Sequence, residues 1–160
     1  MSHFVRRSFI FIVLVGLAIV SDDHVKTASA AASDQSPINL NLERMHWEKM
    51  EPSLGEASPE KAIVHEDPQT HITQFLVKMP PNFHVPFHWH TANETHTVIT
   101  GKLVVEENGA RIVLGPGGFN YTPSKVPHKT ETLPNEGALL FVTVDGPYDQ
   151  FLAESPGASE

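Results

Sequence analysis

Cysteine is absent from the 160 residues, which excludes disulfides, thiolate metal sites and cysteine nucleophiles together. The absence says nothing of compartment, because many exported proteins also lack cysteine. Arginine is scarce: beyond residue 30 only Arg44 and Arg111 remain. The bidentate clamp usual for a substrate carboxylate is therefore in short supply, and a keto-diacid is not an expected substrate. Positive charge as a whole is in deficit, with 11 Lys+Arg against 19 Asp+Glu and a formal net charge of -8. Phosphate binding wants a basic face, so nucleic acid is not an expected partner. Helical periodicity of useful length is missing beyond the leader, and the one long apolar run is Phe9 to Val20.

That run reads as part of an export signal over residues 1–30. Arg6-Arg7 precede it and Ala28-Ser29-Ala30 offers a small-residue cleavage site, giving the basic, apolar and A-x-A order of such leaders. As a helix it reaches only about 18 Å, short of the roughly 30 Å hydrocarbon core. An uncleaved anchor is the alternative; cleavage leaves a chain starting near Ala31, with no stable membrane association. Arg6-Arg7-Ser8-Phe9-Ile10 resembles the twin-arginine signal, although the apolar centre also suits the general secretory route. A periplasmic location is expected by either route.

Downstream, 40% hydrophobic content supports a core, and thirteen prolines with ten glycines suit short strands and turns. Residues 31–44 read as an extended arm, 45–150 as one folded domain and 151–160 as a flexible tail. Thr73 to Met79 is a strand by its β-branched and aromatic content. A second run extends from Thr97 to Glu106, and Asn108-Gly109 before Arg111 to Leu114 marks a hairpin, since both turn residues tolerate positive φ. Ala138 to Val144, the most apolar run, predicts a strand buried on both faces. Strands every eight to twelve residues with turn chemistry between them indicate an all-β sandwich or barrel.

The chemistry-bearing stretch is Phe87-His88-Trp89-His90-Thr91-Ala92-Asn93-Glu94. Histidines two apart share one face of a strand, and Glu94 opens the next run after a short polar connection. Two imidazoles and a carboxylate can then converge from adjacent strands on a divalent metal. A further imidazole, His128, follows Thr122-Pro123-Ser124-Lys125-Val126-Pro127 just before another strand-like run.

His88-x-His90-x3-Glu94-x6-Gly101 resembles the first motif of the cupin superfamily, and Gly117-x5-Pro123-x4-His128 resembles the second. The likeness covers roughly residues 75 to 145. It implies a small antiparallel double-stranded β-helix (a jelly-roll barrel) holding one divalent transition metal, Mn, Fe or Zn, on His88, His90, Glu94 and His128. It also implies a homodimer. The pattern departs at Lys125, where the family often has Gly, and at Thr132, where it often has Asn.

Three imidazoles and one carboxylate leave open positions on a five- or six-coordinate ion, able to act as Lewis acid or redox centre. Glu94, being a ligand, is not free to act as a base. His84 has the parity of His88 and His96 that of Glu94, so both are candidate catalytic residues, unless the strand phase slips at Pro86 or Thr95. Phe75, Phe83, Phe87, Phe119, Tyr121 and Phe141 suggest an apolar or aromatic cavity, though core packing explains most of them. Two functions remain open: a metal-dependent oxygenase-type enzyme (less so an isomerase or decarboxylase) acting on a small, largely uncharged molecule, or a non-catalytic binding or structural metallocupin.

Overall fold

The computed structural model describes residues 36–154. The export signal over 1–30, the first residues of the arm and the last six of the tail lie outside the described residues. Eleven strands follow in order: β1 (Glu48–Lys49), β2 (Glu60–Glu66), β3 (Thr73–Met79), β4 (His84–Trp89), β5 (Glu94–Gly101), β6 (Leu103–Glu107), β7 (Ala110–Leu114), β8 (Phe119–Thr122), β9 (His128–Thr132), β10 (Ala138–Val144) and β11 (Phe151–Leu152). Short 3-10 turns at Leu42–Arg44 and Pro52–Ala57 are the helical elements among the described residues.

All pairings are antiparallel. One sheet runs β1-β2-β3-β10-β5-β8, the other β11-β4-β9-β6-β7. Consecutive strands repeatedly change sheet, as in a jelly roll, and the all-β expectation holds. The core lies between the sheets and includes Phe75, Val77 and Met79 from β3, Val98 from β5, and Leu103 and Val105 from β6. Ala138, Leu140, Val142 and Val144 of β10 complete it. Fully burying each larger aliphatic side chain contributes about 1.5–3 kcal/mol.

The hairpin predicted at Asn108-Gly109 is present: φ is 50° and 76° at the two residues, and Glu107 pairs with Ala110 across it.

Other expectations are corrected. The run Thr97 to Glu106 is two strands in different sheets, broken at Gly101. There φ is 75°, and a Cβ would lie 1.9 Å from the Gly137 carbonyl oxygen. Ala138 to Val144 is buried on one face and half-buried on the other, because the outer face of its sheet has no complete second layer. Both-face burial belongs instead to Phe75-Leu76-Val77 and Leu103-Val104-Val105. The tail is ordered at its start, because Phe151 and Leu152 pair with Trp89 and His88 and the Phe151 ring stacks on Trp89 at 4.4 Å.

Candidate metal centre

Strand pairing puts the site together. His88 on β4 and His128 on β9 are direct cross-strand partners, with ring centroids 4.3 Å apart. His90 lies just past the end of β4, and Glu94 is the first residue of β5. All four side chains are buried, His128 completely. One donor atom from each falls within a cluster spanning 4.8 Å.

The orientation of each imidazole is fixed from behind. Nδ1–H of His88 donates to the Pro86 carbonyl at 2.8 Å, that of His128 to Val126 at 3.0 Å, and that of His90 to the Asp149 carbonyl. A carbonyl can only accept, so each Nδ1 carries the proton and each Nε2 keeps a free lone pair. Glu94 Oε2 lies 3.3 Å from His90 Nε2 and 3.3 Å from His128 Nε2. These three atoms are buried without a hydrogen-bond partner. Buried polar atoms left in that state are costly unless something else satisfies them. A divalent ion fits the donor set: ligands about 2.1 Å from a metal stand roughly 3.0–3.4 Å from one another.

Electrostatics agree with convergence on a cation. Burial opposes ionisation of Glu94, yet the neighbouring His96, His128 and His90 together hold its carboxyl well below the usual range. Burial also opposes charge on His90, but the Glu94 carboxylate 3.3 Å away outweighs it and raises its pKa. His88 lacks so close a carboxylate; burial lowers it to about 4, keeping it a neutral donor.

Beside the cluster lies a cavity of about 230 Å³. Phe75, Val77, Met79, Leu140 and Val142 form much of its wall, His88, Glu94 and His96 reach into it, and no lysine or arginine lines it. His96 keeps the inward parity of Glu94: it is buried, with Nε2 3.6 Å from Glu94 Oε2 and Nδ1 3.4 Å from Asn120 Oδ1. Asn120 Nδ2 in turn lies 3.4 Å from Glu107 Oε1, and Thr122 Oγ1 3.2 Å from Glu107 Oε2.

His84 does not share the parity of His88. The register shifts between Val85 and His88, so His84 is exposed at the cavity mouth and bonds to Glu131 at 3.0 Å. Arg111, 2.6 Å from Glu131 on the other side, holds that carboxyl below its usual value. Of the six aromatics expected around a cavity, Phe75 and Phe83 line it. Phe119 and Tyr121 are exposed, Phe141 is half-buried, and Phe87 lies beneath the Lys129 ammonium.

Both departures from the motif are accommodated. Lys125 adopts φ of 63° without being glycine, its N–H bonded to the His90 carbonyl at 2.8 Å. Thr132 Oγ1 accepts from Phe83 N–H at 2.9 Å and donates to the Pro80 carbonyl at 2.6 Å, tying β9 to the start of β4.

Sequence reasoning missed Tyr148, Asp149 and Asn120. Tyr148 lines the cavity, its ring 5.6 Å from His90. Asn120 was visible as the one polar residue of Phe119-Asn120-Tyr121, on the inward parity, whereas nothing in the spacing connects Asp149 with His90.

Residues 75–145 match the cupin domain family. No curated protein matches the chain in sequence. Among solved structures, a DMSP lyase from the work on RdDddP and RnDddQII is 18% identical, with a TM-score of 0.57 over 69% of this chain and 63% of that one. The chain thus spans less than two thirds of that lyase. KdgF from Halomonas sp. is 20% identical, with a TM-score of 0.57 over 69% of this chain and 94% of that one. The polyketide cyclase RemF from Streptomyces resistomycificus is 18% identical, with a TM-score of 0.59 over 76% and 90% of the two chains. At such identities the likeness is one of fold. Residues 75–145 of this chain thus match a cupin domain, set within an architecture shared with these structures.

Proposed function

We propose that this protein is an exported metallocupin enzyme of the oxygenase type, acting on a small, largely uncharged molecule. The single observation that carries the reading is the juxtaposition of the donor cluster with an apolar cavity, so that His88 and Glu94 belong to both. His88, His90, Glu94 and His128 would hold one divalent ion, Mn, Fe or Zn. Such an ion supplies Lewis acidity or a redox couple. The chain's own residues shape what can approach it. The cavity wall is largely apolar and offers no lysine or arginine to a carboxylate. A neutral molecule is therefore favoured over an anion. His96, buried in the cavity and not needed for the donor set, is the residue placed to take or give a proton there. The fold is shared with proteins described as a lyase and a cyclase, which supports catalysis without naming a reaction.

The test is metal analysis of protein made in its own host, followed by an oxygen-consumption screen over small neutral compounds. One equivalent of metal with turnover bears the reading out. Metal held tightly with no turnover on any class favours a binding or structural metallocupin, the second reading, which the fully buried donor atoms also suit.

Export by a cleaved leader over residues 1–30, a periplasmic location, a domain over 45–150 and a homodimer complete the proposal. Exposed Phe119 and Tyr121 on the edge strand β8 supply apolar surface for a partner copy, which light scattering would detect. No helix among the described residues is long and apolar enough to cross a membrane.

A further inference from the structure

His90 is the metal-site histidine held in place from the greatest distance along the chain. The carbonyls that orient His88 and His128 come from Pro86 and Val126, two residues upstream of each ring. Those two contacts are local to the chain, the first within β4 and the second from the residues leading into β9. His90 instead donates Nδ1–H to the carbonyl of Asp149, 59 residues away in the connection between β10 and β11.

That connection is fastened to the His90 loop by a side chain. One carboxylate oxygen of Asp149 accepts the Thr91 N–H at 2.8 Å, and the other accepts the Thr91 hydroxyl. The residue whose carbonyl orients His90 thus grips, with its carboxylate, the residue next to His90. Asp145 makes a parallel attachment one step further on, accepting Asn93 N–H at 2.8 Å and Asn93 Nδ2–H at 2.5 Å.

We propose that Asp149 is the positioning residue of His90: its carboxylate clamps Thr91 so that its carbonyl holds the His90 ring with Nε2 aimed at Glu94. The inference rests on the metal reading above and adds a requirement to it. His90 sits past the end of β4, its backbone held by the Lys125 N–H; without the clamp nothing fixes its ring, and its Nε2 samples directions that miss the donor cluster. Partners that orient a ligating histidine typically matter 10–100-fold in metal affinity.

The experiment loads the full chain with Zn2+ and follows its release to a chromophoric chelator, alongside 15N NMR of the histidine rings. Asp149→Ala is expected to release zinc at least about tenfold faster than wild type, with the protonated Nδ1 signal of His90 lost and those of His88 and His128 retained. Asp149→Asn keeps an acceptor for Thr91 N–H and a polar partner for its hydroxyl, and should restore slow release. Should Asp149→Ala fail to fold, Thr91→Val removes one bond of the clamp and should show a smaller change in the same direction. Release equal to wild type in the folded variant, or loss of all three histidine signals together, overturns the inference and leaves the metal site standing. A wild-type chain that takes up no zinc, manganese or iron overturns both.

Discussion

His88 and His128 face each other across β4 and β9 as paired residues, rings 4.3 Å apart, although forty positions of sequence separate them. Each also has its Nδ1–H on a carbonyl two residues upstream. Both rings thus stand on paired strand positions, each oriented by a carbonyl close by in sequence. Replacing His128 by Ala should lower metal content more than about tenfold, at least as much as losing an orienting partner does. Plasma emission analysis of the purified variant measures this. Metal in excess should stabilise the wild type by ~2.7 kcal/mol at a hundredfold its dissociation constant, and the same metal should leave the variant's melting temperature unmoved.

Acid should remove the ion with His90 charging long before His88. A proton competes with the metal at a ligand once pH falls below that ligand's pKa. Glu94 outweighs burial and raises His90 above 6.5, whereas burial lowers His88 to about 4. Metal affinity measured by competition titration should therefore fall between about pH 7 and pH 5. In the metal-free chain the signs differ between the two rings. His90 contributes stability that is fully present below pH 6.5 and is lost as pH rises through its raised pKa. His88 costs stability as pH falls from 6.5 towards 4, because the unfolded chain takes its proton first. Undiminished affinity at about pH 5 would contradict the charge assigned to His90.

Two glycines with nearly the same φ should respond differently to alanine. Gly109, at 76°, has open space where a Cβ would go, whereas Gly101, at 75°, would drive one into the Gly137 carbonyl. Gly109→Ala should cost only the backbone term, about 1–2 kcal/mol. Gly101→Ala should cost roughly 3 kcal/mol or more, since the break between β5 and β6 must open. Denaturant unfolding compares the two, and equal costs would mean that the Gly101–Gly137 approach relaxes freely.

Under the proposed enzymatic reading, His96 and His84 separate as candidates. His96 is buried beside Glu94, while His84 is exposed and bonded to Glu131. His96→Asn should lower turnover by about 10²–10⁴-fold with metal retained, the usual scale for a proton-transfer group. His84→Asn should leave turnover within about a factor of two, because a half-solvated residue at the mouth supplies little to a transition state. Turnover unchanged in the His96 variant would remove it from the chemistry.

Export has its own test. Lys-Lys in place of Arg6-Arg7 should block delivery to the periplasm if the twin-arginine route carries the folded chain, and cell fractionation reads the outcome. Full delivery would assign the general secretory route. Metal loading would then follow export, and affinity order would favour zinc over manganese and iron.

The sequence by itself determined the all-β architecture, the hairpin at Asn108-Gly109 and the neighbouring donors His88, His90 and Glu94, while His128 joined them through the likeness to the second cupin motif. The reason is locality: turn chemistry, strand parity and a histidine pair two apart are properties of neighbouring residues. Parity also placed His96 inward, because β5 runs without a break from Glu94 to Val98. It did not hold at His84, where the register shift between Val85 and His88 turns one side chain to the other face, the slip at Pro86 that the sequence had left open. Gly101 was legible as a glycine but not as the end of a strand, since what it avoids is a carbonyl 36 residues downstream. Only the tertiary structure decided that Phe75 and Phe83 line the cavity while Phe119 and Tyr121 face outward, and that Asp149 holds His90. Those relationships depend on which strands neighbour one another and on where the β10–β11 connection crosses, and the energies that fix such crossings are summed over contacts distant in sequence.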